Sequence, residues 1–231
     1  LLVTTLSLTL FSVGQLFSQT ITVSTGALNA FQKCSGSVST SQSFAVEGAS
    51  LEANIEIAAL TGLEYSTNNT TFFSTLTLTE SGGAVASTTV HVRMTAAANA
   101  IPVSNISLTS AGAATVNVAA SGTVTTLPVA TFSYAGTPYC SNDSDPSPAY
   151  SGGGVAGAFT ANGAVGALVF VNAATGEVDI SASTAGTYTV TNTIAASGAC
   201  AVVVATSSIV ITTLPVATFS YAGTPYCSND N

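Results

Sequence analysis

Hydrophobic and polar residues alternate in short runs through the first half of the chain. In residues 88–93 (TTVHVR), Val90 and Val92 fall on one side of an extended chain, and His91 and Arg93 fall on the other. This period of two is typical of half-buried β-strands. No stretch of useful length there has the 3.6-residue period of an amphipathic helix. Similar runs, separated by turn residues, predict six more strands at residues 21–23, 43–46, 54–58, 74–79, 105–109 and 115–119.

The second half of the chain predicts a further set of short strands. In residues 186–195 (GTYTVTNTIA), Tyr188 and Val190 alternate with threonines. Residues 172–176 (NAATG) predict a hairpin turn between two strands. The other expected strands lie at residues 130–134, 157–161, 167–172, 177–181 and 201–212. About seven short strands in about 100 residues are typical of an immunoglobulin-like sandwich. The pattern therefore predicts an all-β fold made of tandem immunoglobulin-like β-sandwich modules in a linear array.

One segment of the chain occurs twice without change. Residues 125–143 (TTLPVATFSYAGTPYCSND) return as residues 212–230, an offset of 87 residues. Identity at a domain-sized period indicates a tandem array of repeats. We expect one module at residues 20–124, a repeat module at 125–213, and the start of an incomplete further repeat at 214–231. Pro128 lies in the joint, where it favours an extended and stiff linker.

The first 19 residues allow two interpretations. Residues 1–18 form an apolar run of signal-peptide length, with cleavage expected near Ser18. The alternation of Leu6, Leu8 and Leu10 with polar residues instead fits a strand. We therefore expect residues 1–19 to be either an export signal or a retained N-terminal strand.

Composition narrows the classes of partner. The 231 residues include two Lys or Arg and ten Asp or Glu, so the net charge is −8. Nucleic-acid binding requires clustered cations, and this balance argues against it and against anionic lipid. Charged residues make up 5% of the chain, against about 25% in typical soluble domains. A surface solvated by Thr and Ser hydroxyls fits an extracellular wall or filament protein.

Two groups of motifs stand out along the chain. In the first module they are residues 41–46, 62–66, 77–93 and 106–124, and in the second they are residues 134–140, 173–191 and Cys200. These motifs resemble the tandem modules of very large Bacteroidota cell-surface proteins, which include the gliding-motility adhesins of the SprB type. Leu60 departs from the family, which usually has proline there. The resemblance implies a cell-surface protein that is exported by the type IX route.

Four cysteines are candidates for cross-linking. Cys140 and Cys200 lie within one module, and in an exported module such a pair is read as a disulfide; two buried thiols are the alternative. Cys227 is the repeat equivalent of Cys140, so we expect its partner to lie beyond Asn231. Cys34 is expected to be unpaired within this chain, either as a buried apolar filler or in an interchain bridge.

The acidic residues of the second module form one candidate metal site. Asp143, Asp145, Glu177 and Asp179 carry oxygen ligands of the kind that Ca²⁺ prefers. Their spacing matches no known calcium motif, and a solvated loop is the simpler interpretation. We expect no other cofactor.

Aromatic residues gather around the repeated segment. We expect Phe132, Tyr134 and Tyr139, together with Pro128, to form the apolar contact between one module and the next. A patch that stacks on glycans is the alternative.

No arrangement of residues in the sequence indicates catalysis. The carboxylates are scattered, and the sole histidine, His91, lies on a strand face between two valines. We therefore expect a non-enzymatic structural surface protein, the stalk or filament of a bacterial adhesin. Its expected partners are neighbouring repeats, copies of itself, or a surface glycan or substratum. The alternatives are a filament subunit that polymerises by strand addition and a carbohydrate-binding module.

Overall fold

The computed structural model describes residues 18–24, 27–163, 166–222, 225 and 227–228, and it is all-β over these residues. The described part of the chain contains no helix that could cross a membrane. The possible N-terminal strand at residues 6–10 lies outside the described residues. The chain divides into two compact units, one of Leu1–Thr126 with Gly198–Cys200 and one of Leu127–Ser197 with Ala201–Asn231.

Nine strands are described in the first unit. They are β1 (Thr20–Ser24), β2 (Phe31–Cys34), β3 (Gln42–Ala49), β4 (Ile55–Ile57), β5 (Leu63–Ser66), β6 (Leu76–Leu78), β7 (Ala84–Met94), β8 (Ile101–Thr109) and β9 (Val116–Thr125). One sheet has the order β1-β3-β7-β5 and the other has the order β2-β9-β8-β4-β6. These orders correspond to the A-B-E-D and G-F-C sheets of the immunoglobulin fold. The first strand of the second sheet, β2, runs parallel to the last strand, β9.

The two sheets of the first unit enclose one hydrophobic core. Val90 and Val92 of β7 are fully buried, as the alternation in the sequence predicts, whereas His91 and Arg93 are half-buried. The same cluster takes in residues from both sheets, among them Phe44, Val46, Ile55, Ile57, Ile106 and Leu108. Each fully buried apolar side chain of this size contributes about 1.5–3 kcal/mol to the free energy of folding. Because two sheets share this core, the unit is a β-sandwich.

The second unit repeats part of this plan. Its described strands are β10 (Phe132–Ser133), β11 (Tyr139–Cys140), β12 (Ala149–Tyr150), β13 (Ala158–Gly163), β14 (Val169–Asn172), β15 (Glu177–Asp179), β16 (Gly186–Ile194) and β17 (Val203–Thr212). The main sheet has the order β11-β17-β16-β13, and two small sheets pair β10 with β12 and β14 with β15. As in the first unit, an early strand, β11, runs parallel to the last strand, β17. The main sheet thus matches β2-β9-β8-β4 of the first unit.

One tyrosine supports the immunoglobulin-like assignment of the second unit. Tyr188 lies near the start of β16, and its hydroxyl donates a hydrogen bond to the carbonyl oxygen of Thr184, four residues earlier, at 2.7 Å. A tyrosine that bonds back to the chain at the start of strand F is a feature of immunoglobulin-like sandwiches. Tyr188 is also buried in the core of its unit, with Val190 beside it on the same strand face.

The predicted hairpin in the second unit is confirmed. β14 and β15 are antiparallel, and residues 172–176 join them. The N–H groups of Thr175 and Gly176 both donate to the carbonyl oxygen of Asn172. Gly176 has a φ of +78°, and a Cβ atom there would collide with the ring of Phe159. This position therefore requires glycine.

Candidate functional site

A disulfide joins Cys34, the last residue of β2, to Cys200, which lies between β16 and β17. The two Cα atoms are 4.8 Å apart, and 166 residues separate the cysteines in sequence. Both cysteines belong to the first unit, because Gly198–Cys200 is part of it. The Sγ atom of Cys200 also lies 3.4 Å from the carbonyl oxygen of Thr125, at the end of β9. Residues 198–200, which the sequence repeat counts in its second module, thus belong to the first unit and are bonded to it covalently.

The predicted Cys140–Cys200 disulfide is wrong, and so is the prediction that Cys34 is unpaired. Cys140 is opposite Thr212, at the end of β17, whereas Cys200 comes three residues before Val203, at its start. The ends of this ten-residue strand are about 30 Å apart, and three residues reach at most about 11 Å. A disulfide requires Cα atoms within about 7 Å, so the strand keeps the two cysteines apart.

Cys140 instead occupies the place in the second unit that Cys34 occupies in the first. Cys34 is opposite Thr125 in the parallel pair of β2 and β9, and Cys140 is opposite Thr212 in the parallel pair of β11 and β17. The next N–H group in each unit donates to the carbonyl oxygen of that threonine at 2.9 Å. Thr125 and Thr212 are themselves equivalent in the 87-residue repeat. Cys34 is therefore the structural equivalent of Cys140, although the sequence predicts that it has no partner in this chain.

Cys140 carries a free, half-buried thiol. The hydroxyl of Thr212 donates to its sulfur at 3.7 Å, and its backbone N–H donates to Oδ2 of Asp143 at 2.7 Å. The strand end that carries this thiol is thus fixed by its own turn. Cys227, the second-copy equivalent of Cys140, lies at an exposed position.

Three of the four candidate calcium ligands accept hydrogen bonds from backbone N–H groups. Asp145 accepts from the N–H of Ile180 at 2.9 Å, as Asp143 does from Cys140. Asp179 accepts from the N–H of Ala182 and from the hydroxyl of Ser181, and these bonds lower the pKa of Asp179. Within the described residues, no group of three or more His, Cys, Asp or Glu side chains is placed to hold a metal. Three of the carboxylates stabilise turns, Glu177 lies on β15, and calcium binding stays a prediction.

The aromatic residues of the repeated segment lie in the second unit itself. Phe132 and Tyr134 are 7% and 4% exposed and belong to its core. The ring of Phe132 makes edge-to-face contacts with Tyr134 and with Phe159, at centroid distances of 5.9 and 5.2 Å. The hydroxyl of Tyr134 donates to the carbonyl oxygen of Gly176 at 2.6 Å, and burial raises its pKa. The prediction that Phe132 and Tyr134 form a contact between modules is therefore wrong, because both rings are part of the core of the second unit.

One further member of that expected contact, Tyr139, lies at the edge of the same core. Tyr139 is half-buried, packs against the core cluster, and donates from its hydroxyl to the carbonyl oxygen of Ala135. Pro128 is half-buried in the joint. The turn that Tyr139 closes leads directly into Cys140.

The second copy of the repeated segment has a different environment. Phe219, the equivalent of Phe132, is 82% exposed, and residues 218–221 form no strand. Since the two segments are identical in sequence, the sandwich around the first copy, rather than local propensity, makes β10 a strand.

A buried asparagine that sequence reasoning missed stabilises the second unit. Asn192 is fully buried in β16. Its Nδ2 donates to the carbonyl oxygens of Ala130 and Val155, at 3.0 and 2.9 Å, and its Oδ1 accepts from the N–H of Gly157 at 2.8 Å. The signal was present in the sequence, because Asn192 continues the inward-facing series that begins with Tyr188 and Val190.

The charged groups of the first unit have structural partners. Lys33 is 1% exposed, and its Nζ donates to the carbonyl oxygens of Ala96 and Ser37 at 2.6 and 3.2 Å. Arg93 pairs with Glu64 at 2.6 Å and stacks on the ring of Phe72 at 3.8 Å. These contacts hold β2 and β7 in place and assemble no reactive group.

One groove of the first unit has a volume of about 530 Å³. Residues 60–62 and 97–102 form most of its wall, together with Thr95 and Ser104. None of the lining residues is ionisable. The groove offers apolar contact and backbone hydrogen bonds but no acid, base or metal ligand.

Among known proteins, the chain is similar only to solved structures. No protein-family model and no curated protein matches the chain. Fibronectin(III)-like modules of Clostridium thermocellum CbhA are 11% identical, with 87% of this chain and all of that chain covered and a TM-score of 0.24. The I9–I11 tandem of titin is 8% identical, with 84% and 66% covered and a TM-score of 0.24. Titin A168–A169 is 11% identical, with 79% and 96% covered and a TM-score of 0.22. At such low TM-scores these matches carry no argument, and the fold assignment rests on the strand orders above.

Proposed function

We propose that this chain is a non-enzymatic structural protein of the cell surface, part of the stalk or filament of a bacterial adhesin built from tandem immunoglobulin-like repeats. The observation that carries the proposal is the Cys34–Cys200 disulfide, through which residues 198–200 of the sequence repeat are covalently bonded within the first unit. Export by the type IX route and a link to gliding motility remain predictions from the resemblance.

The disulfide changes the path that a pulling force takes along the chain. A force applied to the two ends enters at Cys34 and leaves at Cys200, so the backbone between them carries none of it. At about 3.3–3.6 Å per residue, the 166-residue loop would otherwise add about 550–600 Å of extension. Such a link suits a protein whose task is to keep its length under load.

The path continues into a strand that is well supported. Beyond Cys200 the chain enters β17, which has β16 on one side and β11 on the other. Ile209 and Ile211 of this strand are also buried in the core of the second unit. A pull on β17 therefore acts on a strand that is hydrogen-bonded at both edges and anchored by apolar side chains.

The function can be tested on cells that make the protein. An antibody against the chain should label intact cells, and deletion of the gene should reduce attachment to a surface under flow. We expect Cys200→Ala to weaken attachment under flow but not at rest, whereas Ala199→Ser, an exposed neighbour, leaves it unchanged. Absence of label on intact cells, or unchanged attachment after deletion, would refute the proposal.

Force spectroscopy of the purified chain tests the mechanical step separately. Oxidised chain held by its two ends should extend without releasing the residues between Cys34 and Cys200. Addition of a reductant should then release about 550–600 Å more. If the oxidised and reduced chains extend equally, the disulfide does not carry the load.

A filament subunit that polymerises by strand addition is a second candidate, and one observation favours it. Phe219 and Tyr221 are 82% and 69% exposed, although their equivalents in the first copy, Phe132 and Tyr134, are buried in the core of the second unit. A sandwich of a second copy would bury these side chains in the same way. Phe219→Ser should then abolish concentration-dependent assembly in sedimentation experiments, and a wild-type chain that stays monomeric at high concentration would exclude this candidate.

A further inference from the structure

We propose that Cys140 is a cross-linking site that bonds to the equivalent of Cys200 in the following copy of the repeat. The proposal rests on the tandem array of the proposed function. It assigns one rule to the whole array: the cysteine at the end of the early parallel strand of each unit bonds to the loop cysteine of the next repeat.

Support for the proposal comes from comparing Cys34 in the first unit with Cys140 in the second, because these equivalent cysteines are bonded in one unit and free in the other. Cys34 and Cys140 both end a short strand that runs parallel to the last strand of its unit, and they are opposite equivalent threonines, Thr125 and Thr212. In the first unit this position is bonded to Cys200. In the second unit the same position carries a free thiol.

The local structure leaves Cys140 ready for this bond. Its sulfur lies beside the hydroxyl of Thr212, at 3.7 Å. In the first unit the carbonyl oxygen of the equivalent residue, Thr125, lies 3.4 Å from the sulfur of Cys200. In the first unit Cys200 therefore lies beside the threonine at the end of the last strand. The second unit has the equivalent threonine, Thr212, and the equivalent of Cys34, Cys140, at the same position.

The chemistry is an ordinary oxidation of two thiols. The Cys140 thiol and the incoming thiol lose two protons and two electrons, and a low-molecular-weight disulfide such as glutathione disulfide accepts them and becomes two thiols. In an exported protein such oxidants are available. The resulting links overlap along the chain, because the loop closed by Cys34 and Cys200 already contains Cys140.

The exact repeat allows a clean test. Residues 144–231 can be appended after Asp230, which adds one complete copy of the repeat without any foreign junction. The extended chain is oxidised in a glutathione buffer, digested, and mapped for disulfide-linked peptides. We expect one peptide pair that contains Cys34 with Cys200 and a second that contains Cys140 with the copy of Cys200.

Two outcomes of this mapping would overturn the proposal. One is a bond between Cys227 and the copied cysteine, which would mean that each repeat closes its own disulfide. The other is a reduced Cys140 and a reduced copy in a chain whose Cys34–Cys200 bond has formed. Neither result depends on where the protein acts, so the failure of this proposal is distinguishable from the failure of the proposed function.

A variant of the original chain gives an independent measurement if the extended chain does not fold. Cys34→Ala leaves Cys200 without its partner, and a second copy can then offer its Cys140. We expect oxidised oligomers that contain Cys140–Cys200 peptides, and we expect none from the matched Cys34→Ala/Cys140→Ala chain. Oligomers that form equally well without Cys140, or an oxidised Cys34→Ala chain that remains monomeric, would count against the site.

Discussion

Replacement of Asn192 by alanine tests whether the buried polar contacts of the second unit hold it together. The side chain of Asn192 makes three hydrogen bonds to backbone groups, two as a donor and one as an acceptor. Its amide has one orientation that satisfies all three, since the partners are two carbonyl oxygens and one N–H. The Asn192→Ala variant removes the three bonds at once and adds no group that could replace them.

The expected loss of stability follows from the groups that are left behind. A buried backbone donor or acceptor without a partner costs about 1–3 kcal/mol, and Ala130, Val155 and Gly157 each contribute one such group. The vacated space is polar, so entry of a water molecule offsets part of the cost. We expect a net loss of about 3–5 kcal/mol, which is a large share of the 5–15 kcal/mol that typically stabilises a domain.

Denaturant unfolding followed by tyrosine fluorescence provides the measurement. Tyr65 is the sole tyrosine among residues 1–126, so the signal reports mainly on the second unit. Asn162→Ala, at an exposed position of β13, is the matched control and should shift stability by less than about 0.5 kcal/mol. If Asn192→Ala costs less than about 1 kcal/mol, these hydrogen bonds do not stabilise the unit as we infer.

The isosteric variant Asn192→Asp should make the stability of the second unit depend on pH. Its carboxylate would face the carbonyl oxygens of Ala130 and Val155, so the protonated form, which can donate, is favoured in the folded state. The pKa of the new carboxyl should therefore lie above the value of about 3.9 found in unfolded chains. Stability relative to wild type is then greatest below that value and falls as the pH rises through the folded-state pKa. A variant whose stability does not depend on pH in this range would contradict the geometry.

Three other predictions concern the cross-link and the tyrosines. The Cys34→Ala/Cys200→Ala chain should lose about 5 kcal/mol in denaturant unfolding, the chain-entropy value for a 166-residue loop, whereas Cys140→Ala should change little. Burial raises the pKa of Tyr65 to about 12 from 10.0. Tyr65 should therefore contribute about 2–3 kcal/mol of stability that is present below pH 10 and is lost as the pH rises to 12, and Tyr65→Phe should remove this contribution. Tyr188→Phe should cost about 1 kcal/mol in thermal unfolding, because it loses the hydrogen bond to the carbonyl oxygen of Thr184.

Most of the fold could be predicted from the sequence because its longer strands alternate clearly. β7 and β16 each bury one face and expose the other, so the period of two in their sequences placed both strands correctly. β11 and β12 have two residues each, and no periodicity can appear in so short a run. β2 was missed for another reason, since its buried positions include Lys33, whose ammonium group bonds to carbonyl oxygens inside the unit.

The candidate site was harder to predict because cysteine pairing depends on strand direction. Cys140 and Cys200 share a module in sequence, but a ten-residue strand runs between their positions. The direction of β17 and the parallel pairing of β11 with it place Cys140 at one end and Cys200 at the other. Neither feature can be read from composition or spacing, whereas the equivalence of Thr125 and Thr212 could be seen in the repeat itself.

The folded unit and the sequence repeat therefore do not share the same boundaries. The repeat runs from one TTLPVATF segment to the next, yet Gly198–Cys200 belongs to the unit before it. An array cut at the sequence boundary would leave Cys34 without its partner and remove the cross-link. If later repeats follow the first, each unit is complete only when the loop of its successor has been made. Such an array gains a covalent link with every repeat added, and its last unit always has an unbonded cysteine at the end of its early parallel strand.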